Sequence, residues 1–167
     1  MRMSESMTNQ RDNLRIIPNE QLTDLMITVL GHGKAFRFQA KGGSMAPFIK
    51  DQYIITIKPV QPKSIHKGDI LAFIHPNQNK LNVHRVITIK SEIYLMKGDS
   101  AHSPDGWIEP NQIIGMVDGI ERNGSIKKLG LGNEKRLIAL LSLKNKLLPT
   151  IQFLWRFFPP ALKKRIR

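Results

Sequence analysis

The sequence LNVHRVITIKSEIYLM, at residues 81–96, predicts a β-hairpin and with it the fold class. Both halves are rich in β-branched and other apolar residues, and Lys90-Ser91 separates them as a turn. Successive side chains of a strand point to opposite faces. One face of the first strand carries Val83, Arg85, Ile87 and Ile89. The other face, which is less apolar, carries Asn82, His84, Val86 and Thr88. An imidazole at position 84 can there meet a polar partner.

The chain on both sides of this hairpin is also β-like. Short segments with the pattern of strands recur at Ala35–Ala40, Tyr53–Val60, Asp69–His75, Ile113–Arg122 and Ser125–Leu129. Asn123-Gly124, between the last two, is a strong hairpin signal. One helix precedes the strands, because Asn19 can cap it, apolar residues follow at helical spacing, and Gly31 can end it. The sequence therefore predicts a mostly β fold, a coiled antiparallel sheet or partial barrel with an N-terminal helix.

A turn with the sequence GGSMAP follows the first predicted strand, at residues 42–47. Gly42 and Gly43 let the backbone approach a ligand closely or adopt a positive φ. Ser44 comes next, where its hydroxyl and the neighbouring N–H groups can face an incoming peptide. Pro47 fixes its own φ and biases the residue before it away from helix. Such a turn alone is more often a plain loop than a nucleophile site, so its meaning depends on other segments.

A polar loop, KGDSAHSPD at residues 97–105, follows the strand that should pair beside His84. It holds Asp99 and Asp105, although Gly-Asp is also common in plain turns. A serine nucleophile needs a base within hydrogen-bond reach, and that base is best held by a third group such as a carboxylate. A lone strand histidine is more often structural. The hypothesis of a catalytic site therefore requires Ser44, His84 and one of the aspartates to come together.

Four segments in this order resemble the type I signal peptidase superfamily, which also includes self-cleaving repressors: G-G-S-M-A-P, K-G-D-I-L-A-F, V-H-R-V-I and K-G-D-S-x-x-x-x-D. The resemblance covers roughly residues 36–130 and implies the mostly β, coiled-sheet catalytic domain of these serine peptidases. It implies that Ser44 is the nucleophile. The H-R-V segment is typical of the archaeal and endoplasmic-reticulum enzymes, so His84 takes the place of the lysine base of the bacterial ones. Lys80 is a less favoured alternative.

The resemblance also implies roles for further residues. Asp99 and Asp105 would order the site, with Asp105 favoured for orienting the histidine. The groups that hold the oxyanion and the substrate would lie at Gly42, Gly43, Met45, Pro47 and Arg85. Backbone N–H groups near Gly43 and Ser44 would be the oxyanion donors. Ser100 stands where the superfamily usually has asparagine.

Composition restricts the class of protein. The 167 residues are 41% hydrophobic and 23% charged, which suits one folded domain with an appendage. The sequence has no cysteine, which excludes disulfides and cysteine-based zinc sites, and its motifs imply no metal or cofactor. Residues 1–15 lack the apolar stretch of a secretory signal, and no apolar run approaches the ~20 residues of a membrane span. We therefore expect a cytoplasmic or peripheral membrane protein.

Positive charge is concentrated at the C-terminal end. Residues 131–167 carry nine Lys or Arg and one acidic residue, a net +8 of the +13 of the whole chain. Asn133 can cap a helix over Glu134–Leu148, which Pro149 would end. An aromatic-rich segment, Ile151–Phe158, follows before the terminal Lys/Arg cluster. The expected organisation is therefore a leader, a peptidase domain and a basic amphipathic helical tail, at residues 1–17, 18–130 and 131–167.

Two placements of this tail remain open. It can pack on the β domain, or it can lie on an anionic membrane surface with its aromatic residues in the interface, namely Phe153, Trp155, Phe157 and Phe158. Packing is favoured for the first helix and the membrane for the second. Nucleic acid ranks third as a partner, because charge alone supports it and no binding motif does.

Two functions are compatible with these patterns. The first is a serine endopeptidase of signal-peptidase type that cleaves a peptide or protein after small residues with a Ser-His dyad. The alternative is a non-catalytic relative that keeps the fold and its groove to bind peptides. The presence of Ser44, His84, Asp99 and Asp105 together favours the enzyme, because a binding module does not need all four.

Overall fold

An antiparallel sheet dominates residues 19–156, the part of the chain that the computed structural model describes. Helix α1 (Asn19–Gly31) precedes it, and helices α2 (Lys135–Leu143) and α3 (Leu147–Arg156) follow it. Its strands are β1 (Phe36–Gln39), β2 (Ile54–Lys58), β3 (Ile70–His75), β4 (Lys80–Lys90), β5 (Ile93–Lys97), β6 (Gly106–Ile108), β7 (Ile113–Arg122) and β8 (Ser125–Lys127). Two short 3₁₀ helices lie at Pro62–Ser64 and Pro110–Gln112.

The strands run in the order β1-β2-β7-β3-β4-β5-β6, and β8 pairs with β7. Three breaks in register, at Thr56/Ile57, Ala72/Phe73 and Val86/Thr88, interrupt the ladders. Such irregularities bend a strand and increase its twist, and the sheet curls into a half-barrel. The prediction of a mostly β fold with one N-terminal helix and one or two C-terminal helices is confirmed, and the structure has two C-terminal helices.

Two apolar cores lie on opposite faces of β3. Its alternate residues Ile70 and Ala72 join a core with α1 and β2, whereas Leu71 and Phe73 join a core with β4, β5 and β6. Each of these four side chains is at most 1% exposed. A strand that is buried on both faces has a continuous run of apolar residues, and the run ILAF lies within the predicted strand Asp69–His75. This strand pairs with β4, which carries His84, and so gives that histidine a rigid support.

The structure differs from the prediction in two strands. Strand β6 was not predicted, because it is three residues long and begins with glycine. In β4 a break in register between Val86 and Thr88 interrupts the strict alternation that the sequence predicts, and Val86 and Ile87 are both fully buried.

The tail forms two helices with a break earlier than predicted. Helix α2 ends at Leu143, and Asn145, with φ of 54°, turns the chain toward α3. Asparagine tolerates this left-handed conformation better than most residues. Pro149 does not end a helix. It lies in the first turn of α3, where its missing N–H would have no helical partner in any case.

Helix α2 packs on the sheet. Ile138 and Ala139 are buried, and Ile138 forms a small core with Phe48 and Leu147. This agrees with the packing alternative for the first tail helix. The expected leader, at residues 1–17, and the tail beyond Arg156, with Phe157, Phe158 and the terminal Lys/Arg cluster, lie outside the described residues.

Within residues 19–156, no single helix has the length and hydropathy needed to cross a membrane. Helix α2 and the segment Leu147–Leu154 meet that test only when taken together, and they are bent by 115° relative to each other.

Candidate active site

The GGSMAP turn presents Ser44 at the surface while its neighbours anchor it to the core. Gly42, with φ of 91°, donates its N–H to Asp51 Oδ1 at 2.9 Å. The N–H of Ala46 donates to the carbonyl of Gly43 at 3.0 Å. Met45 is only 4% exposed and packs in the core that also contains α1. The serine is therefore exposed on a turn whose next residue is fixed by burial.

Ser44, His84 and Asp105 form one chain of hydrogen bonds. Ser44 Oγ lies 2.8 Å from His84 Nε2, and His84 Nδ1 lies 2.7 Å from Asp105 Oδ2. His84 is 8% exposed and belongs to β4, whereas Asp105 directly precedes β6 and donates its N–H to the carbonyl of Met96. These residues are 40 and 21 positions apart in the sequence. The sheet therefore brings together the three groups that sequence analysis proposed as partners.

The chain of contacts specifies the form of the imidazole that suits catalysis. An ionised carboxylate can only accept hydrogen bonds, so with Asp105 ionised the Nδ1–H group of His84 donates the hydrogen bond between them. The other ring nitrogen of a neutral imidazole is then an acceptor, and it faces the Ser44 hydroxyl. A histidine in this tautomer can take the serine proton as a general base.

Gly98 provides the space in which the serine and the histidine meet. A Cβ atom at this position would lie 2.7 Å from the carbonyl oxygen of Ser44 and 3.2 Å from His84 Nε2. Contacts below about 3.0 Å are essentially absent for real Cβ atoms, so any other residue would push the two segments apart. In the sequence, Gly98 reads as part of a polar turn, and this steric role is not evident. Its place beside Asp99, in the fourth of the segments that resemble the superfamily, was the available signal.

Ser100 ties the same loop to the nucleophile turn. Its N–H donates to the carbonyl of Ser44 at 2.9 Å, and its hydroxyl donates to the carbonyl of Gly43 at 2.8 Å. The residue that departs from the usual asparagine thus makes two bonds to the turn that carries Ser44.

The described part of the chain contains no group of three histidine, aspartate or glutamate side chains that could hold a metal ion.

A protein-family model described as Peptidase S24-like matches residues 6–118. That span is more than half of the chain and includes Ser44, His84 and Asp105. The chain belongs to the Peptidase S24-like family. This family lies within the superfamily of signal peptidases and self-cleaving repressors, and it implies a serine hydrolase. A comparison with curated proteins gave no match.

The matched part of this S24-like peptidase ends before β8, α2 and α3. The Ser-His pairing is not part of what the match itself shows. It is seen in the contact between Ser44 Oγ and His84 Nε2.

A buried ion pair lies directly behind the site of this S24-like peptidase. Arg85 donates two hydrogen bonds to Asp99, at 2.8 and 2.7 Å, and both side chains are 0% exposed. Its third nitrogen donates to the carbonyls of Gly68 and Gly130, each at 2.8 Å. The guanidinium therefore has internal partners on every side.

Burial speaks against two of the substrate-binding residues expected from the sequence, Arg85 and Met45. The Arg85 side chain is 0% exposed, so it presents no atom to a substrate. Asp99 bonds Arg85, whereas Asp105 bonds the histidine. Met45 is buried in the core, so its side chain supports the turn and does not face a ligand.

The remaining candidates lie at the surface or near it. Gly42 and Gly43 are exposed and Pro47 is half-buried. Lys80 is exposed at the start of β4, opposite His75, while the histidine of the same strand contacts Ser44. Of the two basic side chains, His84 is therefore the one that contacts Ser44.

Two ionisable groups near the site have altered proton affinities. Burial lowers the pKa of the Lys97 ammonium, and the charge of Asp99 acts in the opposite direction. Hydrogen bonds from backbone N–H groups, first its own and then those of Gly130 and Gly132, hold the pKa of Glu134 below its usual value against the effect of burial. The carbonyl of Gly130 thus accepts a hydrogen bond from Arg85, and the N–H of Gly130 donates one to the Glu134 carboxylate.

Substituting Asp99 by asparagine should cost much more stability than the same change at Asp118. Asp99→Asn leaves a buried guanidinium without its counter-charge, which typically costs about 3–5 kcal/mol of unfolding free energy. Asp118 pairs with Lys58, and these side chains are 52% and 43% exposed, so Asp118→Asn should cost less than about 1 kcal/mol. Urea unfolding of the two variants measures the difference. Equal, small losses would contradict the importance of the buried pair.

Proposed function

We propose that this S24-like peptidase is a serine endopeptidase in which Ser44 is the nucleophile, His84 the general base and Asp105 the group that orients the base. The observation that carries the proposal is the continuous chain from Ser44 Oγ through His84 to Asp105, with both hydrogen bonds below 3 Å. The family match supports serine hydrolase chemistry but leaves the base unspecified.

The proposed reaction is acyl transfer in two stages. Ser44 Oγ attacks the scissile carbonyl carbon while His84 Nε2 takes the hydroxyl proton. The imidazolium then gives that proton to the leaving amine, which departs as the acyl-enzyme forms. Water repeats the attack with His84 again as base, and this step releases the acid and restores the serine. Asp105 stabilises the imidazolium and holds the ring in register throughout.

The oxyanion is best served by the backbone of the nucleophile turn. Among residues 19–156, no acceptor is bonded to the N–H groups of Gly43 or Ser44. Both residues are exposed, so these N–H groups are available to a negatively charged oxygen. Donors of this kind typically contribute 10²–10³-fold each to kcat, as an order of magnitude.

The substrate is proposed to bind as an added strand. Strand β1 lies at an end of the strand order, so one of its edges is unpaired among the described strands, and it leads into the Ser44 turn within five residues. An extended peptide on such an edge makes main-chain hydrogen bonds that are independent of its sequence. Cleavage after small residues, of the Ala-x-Ala kind, is carried over from the resemblance to signal peptidases.

Replacement of either dyad residue should abolish hydrolysis. Ser44→Ala and His84→Ala are each expected to lower kcat on the order of 10⁴-fold or more, because the members of such a unit act together. A peptide library built around Ala-x-Ala sites, read by mass spectrometry, measures cleavage. Lys80→Ala is the matched control and should keep wild-type activity, because its side chain lies at the exposed start of β4.

The outcomes separate the two functions. If His84→Ala keeps full activity and Lys80→Ala loses it, the general base is Lys80 and not His84. If the folded wild-type protein binds library peptides but cuts none, and the Ser44→Ala variant binds them equally well, the protein is a peptide-binding relative and not an enzyme.

We also propose that the C-terminal helices contact an anionic membrane surface. Exposed apolar side chains recur on them, at 40–59% exposure: Leu137, Leu140, Leu143, Phe153 and Leu154. Arg136, Lys144 and Lys146 are exposed beside them, and residues 135–156 contain no acidic residue. Apolar side chains among cations suit the interface of a bilayer with anionic headgroups.

The membrane proposal is tested by sedimentation with anionic and neutral liposomes. Leu140→Ser combined with Phe153→Ser should lose most of the binding to anionic liposomes, whereas Ile126→Ser should bind normally. Ile126 is 74% exposed but lies on β8, so it controls for loss of surface apolarity in general. Binding that is insensitive to salt, or equal in both variants, would refute this surface.

A further inference from the structure

Lys97 is a buried lysine for which the proposed chemistry has no use. It is 2% exposed and ends strand β5, one residue before Gly98. Its Nζ donates to the carbonyl of Ser142 at 2.5 Å and to Asn145 Oδ1. Burying an ammonium is unfavourable unless acceptors replace its water. The two acceptors satisfy this requirement, and their position in the fold suggests what the buried lysine does.

Both acceptors belong to the end of helix α2. The carbonyl of Ser142 is among the last four of the helix, which carry the negative end of the helix dipole and favour a cation. Asn145 is the residue with positive φ that turns the chain toward α3. Lys97 therefore fastens the β5 strand to the junction of the two C-terminal helices, 45 and 48 residues farther along the chain.

The three residues after Lys97 hold the catalytic groups. Gly98 lies against the Ser44 carbonyl and His84 Nε2, with no room for a Cβ. Asp99 binds Arg85, the neighbour of His84 in β4. Ser100 makes its two bonds to the nucleophile turn. One segment, Lys97–Ser100, thus contacts α2 at its first residue and the proposed dyad at the others.

We propose that Lys97 is a positioning residue of the peptidase site, held by Ser142 and Asn145, so that the end of helix α2 and the turn after it form part of the active-site scaffold. This inference rests on the proposed function and adds a source of its geometry. The ammonium fixes the end of β5, and Gly98 and Ser100 then hold Ser44 within hydrogen-bond distance of His84.

The first variants change Lys97 and its acceptor separately. Lys97→Met keeps the length of the apolar stem and removes the ammonium. Asn145→Gly removes one acceptor without backbone strain, because glycine adopts positive φ readily, whereas Asn145→Asp keeps an acceptor oxygen at that place. Lys90→Met is the control for loss of a lysine, since Lys90 is exposed in β4.

The expected result is a fall in kcat of about tenfold or more in Lys97→Met, with KM changed by less than about twofold. Asn145→Gly should show a smaller fall in kcat than Lys97→Met, and Asn145→Asp should keep a kcat close to that of the wild type. Ile120→Val, a truncation in the core beside β8, controls for lost stability. It should leave kcat unchanged, although it lowers the urea midpoint. Wild-type kcat in Lys97→Met, or equal falls in Lys97→Met and Ile120→Val, would overturn the inference.

A second readout does not require turnover. The ring nitrogens of His84 report their two hydrogen bonds through their NMR chemical shifts, and these should change in Lys97→Met but not in Lys90→Met. If the folded wild type cleaves nothing and these shifts still change, the proposed function fails and the positioning role stands. If the shifts in Lys97→Met match those of the wild type, the positioning role fails whatever the activity.

Discussion

The ion pair between Arg85 and Asp99 is the interaction on which the geometry of the site depends. Arg85 follows His84 in β4, and Asp99 follows Gly98 in the loop after β5, so the pair fixes the base to the loop that contacts the nucleophile. Buried ion pairs add little net stability, because the cost of desolvation offsets much of the attraction. We therefore attribute to the intact pair the precision of the site and little net stability, whereas the loss of one partner is costly because it leaves the other charge buried and unpaired.

Curling of the sheet is the second requirement. In the strand order, β1 and β4 are separated by β2, β7 and β3. Four strand spacings in a flat sheet would amount to about 19 Å at roughly 4.8 Å each. Yet Ser44, on the turn after β1, lies 2.8 Å from His84 in β4. The register breaks in three ladders bend the sheet, and this curvature together with the turn after β1 brings Ser44 to His84.

The sequence predicts those features that depend on local pattern. Alternating apolar residues and Asn123-Gly124 indicate the strands and a hairpin, and the order of four short segments indicates the superfamily. It does not predict features that depend on contacts between distant segments. Three such features arise only when β4, β5 and α2 are assembled: Arg85 is buried, Gly98 has no room for a Cβ atom, and Lys97 is hydrogen-bonded to Asn145. Pro149 was misread because its effect depends on where the helix starts.

The central claim is that the folded chain activates Ser44 through His84. The most direct test is mass spectrometry of the protein after reaction with a fluorophosphonate, which forms a covalent adduct with an activated serine. The account predicts one adduct, located at Ser44, and its near absence in folded His84→Ala. Labelling of Ser100 or Ser103 in place of Ser44, or equal labelling of Ser44 in His84→Ala, would contradict it.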